Sequence, residues 1–328
     1  MALFDGKQIL ITGGTGSLGS TLLRRLLSGE KGLPYRITVL SRDEAKQSAL
    51  KQEYASSEKF KDIVQFRIGD VRDYHTVVSC MENVDIVFNA AALKQVPSCE
   101  YFPHEAVRTN IDGAENIVRA AQVTSPLFVV GISTDKACKP VNVMGMTKAI
   151  QERIFLSGQE RCPGTTFLCV RYGNVLASTG SVIPLFKQQI RKGGPVTVTD
   201  GHMTRFLLTL DKAVDTVFEA VERGLNGEIY VPIIPSAAVI DIAHKIIGCR
   251  DIKVEFVGAR PGEKTHEILV SEEEVSRTVL RGEYYVIRSV FTGATEYPAL
   301  TREFSSQNAE MNYDALTCLL FDNGLLND

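Results

Sequence analysis

The chain predicts an α/β fold: a doubly wound parallel sheet with a smaller, interleaved C-terminal lobe. Three observations lead there. Short apolar runs alternate with amphipathic segments through the first half, the pattern of strands covered on both faces by crossover helices. A glycine-rich turn, Gly13-Gly14-Thr15-Gly16-Ser17-Leu18-Gly19, joins the first apolar run to the first amphipathic segment. No Ser- or Pro-rich linker divides the 328 residues, so the second half reads as a lobe built onto the same sheet. The expected division is 1–175 for the sheet, with parts of 205–245 returning to it, and 176–328 for most of the lobe.

Taken in order, residues 9–12 are a buried strand ended by Gly13-Gly14. Residues 20–27 are a helix, with Leu22, Leu23, Leu26 and Leu27 on one face. Further strands are expected at 36–40, 64–68, 85–89, 127–132 and 166–170. Helices at 43–54, 76–81, 106–121 and 147–156 connect them. Beyond the sheet, helical patterns cover 181–191, 210–223 and 237–247, with a strand at 228–231. Residues 258–264 are a charged loop punctuated by Gly and Pro.

Composition narrows the function classes. With 44% hydrophobic and 23% charged residues, the chain is neither disordered nor fibrous. A net charge of −3 supplies no bulk attraction to nucleic acid or to an anionic membrane. The seven Cys are scattered without a CxxC pair, which argues for free thiols in a reducing cytoplasm and against a disulfide framework or a metal site. No apolar run is long enough to span a bilayer, and no secretory leader is expected ahead of the first strand.

The glycine turn is Rossmann-type. Gly13, Gly16 and Gly19 let a backbone approach a pyrophosphate, while Thr15, Ser17 and Leu18 lead into a helix whose N-terminal amides face it. Where the second strand ends, an acid selects NAD and an Arg accommodates the 2′-phosphate of NADP. Ser41, Arg42 and Lys46 at that point favour NADP over NAD. Asp70 and Val71 end the third strand, and Ala90 and Ala91 follow the fourth, on the edge where parallel sheets bind ligands.

Ser133-Thr134-Asp135-Lys136 ends the fifth strand on that same edge, and Met144-Gly145-Met146-Thr147-Lys148 opens the next helix. With these belong Ala91-Ala92-Leu93-Lys94-Gln95-Val96-Pro97, Arg171-Tyr172-Gly173-Asn174-Val175, Thr204-Arg205-Phe206, Arg260-Pro261-Gly262-Glu263-Lys264 and His266-Glu267. On these motifs the chain resembles the inverting UDP-N-acetylglucosamine 4,6-dehydratases. These are extended short-chain dehydrogenase/reductases that serve pseudaminic acid and capsule sugar synthesis. The resemblance runs from residue 12 to 267 and is to a branch with Met144 in place of the catalytic Tyr. A thioether carries no exchangeable proton.

The resemblance implies transient oxidation at sugar C4, loss of water across C5 and C6, hydride return to C6 and inversion at C5. It implies Asp135 as acid at C6, Lys136 as base at C5 with a lowered pKa, and Thr134 beside them. Lys148 would bind the nicotinamide ribose. Lys94, Asn174, Arg205, Arg260 and Glu263 would hold the UDP-sugar, and the enzyme would be a homo-oligomer. The acceptor of the C4 hydroxyl proton stays open between Lys136, Asp135 and a water. Rival readings are an enzyme making or consuming a 5,6-unsaturated sugar, a sugar 4-epimerase or keto-sugar reductase, and a catalytically dead NADP-binding redox sensor.

Overall fold

A computed structural model describes residues 2–55, 60–176, 181–259, 262–292 and 297–326. Its first half alternates strands and helices. The strands are β1 (Gln8–Thr12), β2 (Arg36–Ser41), β3 (Val64–Ile68), β4 (Ile86–Asn89), β5 (Phe128–Ile132) and β6 (Thr166–Val170). Between them run α1 (Ser17–Ser28), α2 (Glu44–Ala55), α3 (Tyr74–Met81), α4 (Val96–Tyr101), α5 (Pro103–Ala106), α6 (Gly113–Thr124) and α7 (Val143–Arg161). The inner strands are nearly continuous runs of Ile, Val, Leu and Phe because helices cover both faces.

The second half holds β7 (Asn174–Val175), α8 (Val182–Arg191), β8 (Val196–Val198), β9 (Thr204–Leu208) and α9 (Leu210–Arg223). Next come β10 (Ile229–Pro232), β11 (Ser236–Ala238), α10 (Val239–Ile247), β12 (Val254–Phe256), β13 (Ile268–Val270) and α11 (Glu272–Val275). The chain then forms β14 (Thr278–Arg281), β15 (Tyr284–Ile287), β16 (Phe304–Ser305) and α12 (Tyr313–Asp322).

One nine-stranded sheet has the order β14-β15-β10-β6-β5-β4-β1-β2-β3. Strands β1 to β6 and β10 run parallel, and β15 and β14 close one edge antiparallel. Strand order reverses between β1 and β4, so a ligand crevice opens at their C-terminal ends. A separate apolar cluster, including Phe186, Val198, Ile242, Ile246 and Leu320, packs α8, β8, α10 and α12 together.

Three expected elements differ from the structure. The helix at 106–121 is interrupted by a π-helical stretch, Val107–Asp112. There Asn110 turns inward, bonding both the N–H and C=O of Leu93 and the Thr147 hydroxyl. The helix at 147–156 starts earlier, because the Asn142 side chain accepts from the Gly145 N–H and caps it. The helix at 237–247 gives up its first residues to β11, which pairs with β9.

Arg171 binds the two halves together. It is 2% exposed and uses all five guanidinium donors. Nε and Nη2 meet Glu152 of α7 at 3.0 and 2.7 Å, and Nη1 and Nη2 meet Glu274 of α11 at 2.8 and 3.0 Å. The Leu269 carbonyl of β13 accepts the remaining bond at 2.9 Å. Burial alone would raise the Glu274 carboxyl, but the Arg171 charge outweighs it and brings the pKa from 4.5 to about 2.

Removing the guanidinium strands two buried carboxylates. Arg171→Met is therefore expected to lower the unfolding free energy by about 3–5 kcal/mol, measured by urea denaturation. A depressed carboxylate pKa gives stability that is complete above the unfolded value and lost as pH falls through the folded one. The stability gap between wild type and Arg171→Met is thus expected to narrow as pH falls from 4.5 toward 2.

Candidate active site

The glycine turn is a cradle shaped by close approach. Gly13 has φ +66°, and a Cβ there would lie 2.7 Å from the Ala91 backbone. A Cβ on Gly19 would lie 2.5 Å from Gly14 Cα. Gly16 caps α1 without any side-chain hydrogen bond, so the helix start that includes Ser17 and Leu18 presents backbone amides toward the crevice. Thr12 donates to Asn89 Oδ1 at 2.6 Å and receives the Ala91 N–H at 3.3 Å, tying the turn to the end of β4 beside Ala90. This arrangement fits a pyrophosphate, and Thr15 lies within it.

At the far end of the cradle Arg42 is 52% exposed and approaches Asp70 Oδ2 at 3.6 Å. Arg72 grips the same carboxylate at 2.7 Å. Burial would raise the Asp70 carboxyl, but hydrogen bonds from Arg72 outweigh it and hold it below its ordinary value. Two other expected cofactor residues are engaged locally: the Ser41 hydroxyl accepts from Gln47, and Lys46 pairs with Asp43 at 3.2 Å. Val71 is buried against Gly113, with its carbonyl bonded to Asn116.

Residues 133–137 continue past β5 along the neighbouring strand's end. Ser133 N–H donates to the Val170 carbonyl and Asp135 N–H to that of Tyr172. The turn Asp135–Ala137 is capped by Thr134, whose hydroxyl also donates to Asp135 Oδ1 at 2.8 Å. Helix α7 packs so close that a Cβ on Gly145 would lie 2.3 Å from the Lys136 carbonyl.

Lys136 Nζ stands between Asp135 Oδ1 at 3.1 Å and Glu267 Oε1 at 3.3 Å. Burial alone would lower its pKa, but the carboxylates of Asp135 and Glu267 outweigh burial and the repulsion of Arg205. Its pKa is raised, where the sequence led to the expectation of a lowered one. Burial lowers two other lysines instead: Lys148, brought down to about 8, and Lys94, for which the direction is the same. The Lys148 ammonium donates to the Ile132 carbonyl and to Gln151 Oε1. Met144 is 4% exposed and packs with Cys99, Ala106, Leu93 and Val96, so its position faces an apolar cluster under α4 and α5.

A cavity of about 140 Å³ opens in front of Lys136, lined also by Asn142, Asn174, Arg205, Glu263 and Glu267. Three buried acceptors in this region have no protein partner: Asp135 Oδ2, Asn174 Oδ1 and Glu267 Oε2. Arg205 is anchored by the Thr204 and Thr265 carbonyls. Lys94 is exposed, two residues from Val96 on the cavity wall. Arg260 lies outside the described residues. Sequence reading gave no role to three participants: Glu267, quoted only within a motif, and Asn142 and Gln151. Asn142 bonds the Gly262 carbonyl at 2.7 Å and so holds the 262–264 loop against α7. The contacts of Glu267 with Lys136 and of Asn142 with Gly262 are remote in the chain, so no spacing signals them; Gln151 lies only three residues from Lys148, a common helical spacing that marks no site.

A larger hollow of about 310 Å³ lies at the other end of α1, where Arg25 is already paired with Glu30 and Asp215. Among the described residues no group of three or more His, Cys, Asp or Glu is placed to hold a metal ion, and no helix is long and apolar enough to cross a membrane.

Sheet order, glycine cradle and the polar cluster after β5 together define an extended short-chain dehydrogenase/reductase fold of the epimerase/dehydratase kind. Within it, the chain belongs to the polysaccharide biosynthesis protein family, whose model matches residues 9–289. It is 41% identical over 323 residues to a Rickettsia typhi protein named UDP-glucose 4-epimerase, covering 94% of this chain and 93% of the relative. The X-ray structure of Pen from Bacillus thuringiensis superposes with a TM-score of 0.91 at 35% identity, covering 98% of this chain and 99% of that one. The dTDP-glucose 4,6-dehydratase DesIV of Streptomyces venezuelae, solved with NAD bound, shares the fold. Its TM-score is 0.68 at 21% identity, over 79% of this chain and 86% of that one.

The cradle has no room for added volume. Gly13→Ala adds a Cβ against backbone at a left-handed residue, and is expected to lower the unfolding free energy by about 1–3 kcal/mol in denaturant titrations.

Proposed function

We propose that the protein is an NADP-dependent nucleotide-sugar-modifying enzyme, a 4,6-dehydratase acting on UDP-N-acetylglucosamine. The observation that carries this reading is the Asp135–Lys136–Glu267 cluster, facing a cavity beside three unpartnered buried acceptors. Buried acceptors call for donors. Sugar hydroxyls and an acetamido N–H supply them, and a phosphate does not. In this reading residues 1–175, with parts of 205–245, hold the dinucleotide, and 176–328 supply most of the sugar site. The enzyme is cytoplasmic and homo-oligomeric.

A bound nicotinamide supplies hydride acceptance from C4 and hydride return to C6. The protein's own groups handle the protons. Once C4 is a ketone, the C5 proton is acidic and leaves to a base, while the C6 hydroxyl departs as water with a proton from an acid. The charges favour the opposite assignment from the one the resemblance implies: Lys136 enters as an ammonium and donates, and a carboxylate with an unpartnered oxygen accepts. Lys148, held by Ile132 and Gln151 and lowered to about 8, would hold the nicotinamide ribose. Met144 contributes shape and no proton. Lys94, Arg205, Arg260 and Glu263 would hold the nucleotide diphosphate and sugar.

A second reading, C4 epimerisation, is favoured by the names of the relatives. Against it stand Met144 in place of a phenol and an acid–base cluster that epimerisation does not use.

Incubation with UDP-N-acetylglucosamine in deuterated water, followed by NMR and mass spectrometry, separates these. The expected product lacks one water and carries a 6-methyl group with deuterium at C5. An exocyclic methylene would mean 5,6-elimination instead, and an inverted C4 hydroxyl without water loss would mean epimerisation. An unchanged sugar, with dinucleotide bound, would move the assignment to a redox sensor.

The choice of NADP rests on Arg42. Arg42→Ala is expected to weaken NADP binding about tenfold or more while leaving NAD binding nearly unchanged, measured by calorimetry.

A further inference from the structure

We propose that Glu267, delivered by the loop ahead of β13, is a positioning residue that keeps Lys136 in its ammonium form. The inference rests on the acid–base reading of the Asp135–Lys136 pair and adds a third member to it.

Glu267 is 2% exposed, and a carboxylate so buried needs a reason. Its backbone is fixed on both sides: its N–H donates to Ser306 Oγ at 2.9 Å and its carbonyl accepts from Ser306 N–H at 2.8 Å. That clasp, with Thr204 bonded to Ser306 and His266, aims the side chain inward. Oε1 reaches Lys136 Nζ at 3.3 Å and Arg205 Nε at 3.9 Å, and Oε2 has no partner.

The groups facing Lys136 decide its charge. Its own turn offers Asp135, β9 offers Arg205, and the 262–267 loop offers Glu267, with Glu263 and Lys264 on the same cavity wall. Asn142, the cap of helix α7, adds a neutral amide to the same wall. One carboxylate against the Arg205 charge would leave a largely buried amine poorly supported. The second carboxylate tips the balance toward the ammonium.

Competitive acylation with acetic anhydride tests this on the full chain without any substrate. Peptide mass spectrometry would follow Lys136 between pH 7 and 11, with the exposed Lys46 as internal reference. In wild type Lys136 is expected to label more slowly than the reference at pH 8. In Glu267→Gln it is expected to label about tenfold faster than in wild type, because one fewer neighbouring anion holds the proton. Glu267→Asp keeps the anion and is expected to label like wild type. Equal Lys136 profiles in wild type and Glu267→Gln would overturn the proposal. So would wild-type Lys136 labelling as readily as Lys46, a result that does not depend on the variant folding. Failure of the dehydratase reading appears separately, as an unchanged UDP-sugar. Where turnover is present, Glu267→Gln is expected to move the alkaline limb of kcat to lower pH, which a merely structural role would not do.

Discussion

The buried guanidinium of Arg171 is the contact on which the site depends. It follows β6 directly, so it stands at the C-terminal edge of the sheet beside the Asp135 turn. Its bonds to Leu269 and Glu274 pin the stretch that begins with Glu267. Its bonds to Glu152 fix α7, which carries Met144 and Lys148. Burying one cation with two carboxylates is not by itself a strong source of stability. What the arrangement provides is position. Elements from both halves of the chain converge on one point, and the cost of desolvation is offset because every guanidinium donor is used.

The two lysines of the site show how the same burial gives opposite results. Lys148 is enclosed with a carbonyl and an amide as its hydrogen-bond partners, and the loss of water outweighs the attraction of Glu152, so its pKa falls to about 8. Lys136 is also taken from water, yet two carboxylates face it and its pKa rises. The two lysines therefore differ in how readily each gives up its proton, Lys148 being the readier.

The sheet was legible in the sequence because its signals are local. Six parallel strands and the glycine turn announce themselves through apolar runs and spacing, and the 64–68 and 166–170 strands begin and end where expected. What was not legible depends on remote partners. Asn110 looks like an ordinary polar helix residue until Leu93 and Thr147 surround it. The antiparallel pair β14 and β15 is short, and it is recruited by β10 rather than by a pattern of its own. Asp135 and Lys136 could be singled out by their place after a strand. The sign of the Lys136 shift could not, because Glu267 reaches it from the far side of the second lobe.

Identity along a chain and identity of reaction are set by different atoms. Conserving the cradle and sheet needs many residues, and 41% identity across nearly the whole chain carries the family. The proposed reaction would turn on a handful of groups: a thioether at 144, the two carboxylates that face Lys136, and Lys148, whose pKa burial lowers. A phenol at position 144 would need room toward the crevice and a polar partner, but the side chain there is packed with Cys99 and Ala106 in an apolar pocket. The surroundings are therefore adapted to Met144 and not merely tolerant of it. In the proposed reaction, proton traffic that a phenol would have carried would pass through the groups that remain, and those with unpartnered buried oxygens, Asp135 and Glu267, stand beside Lys136 at the cavity.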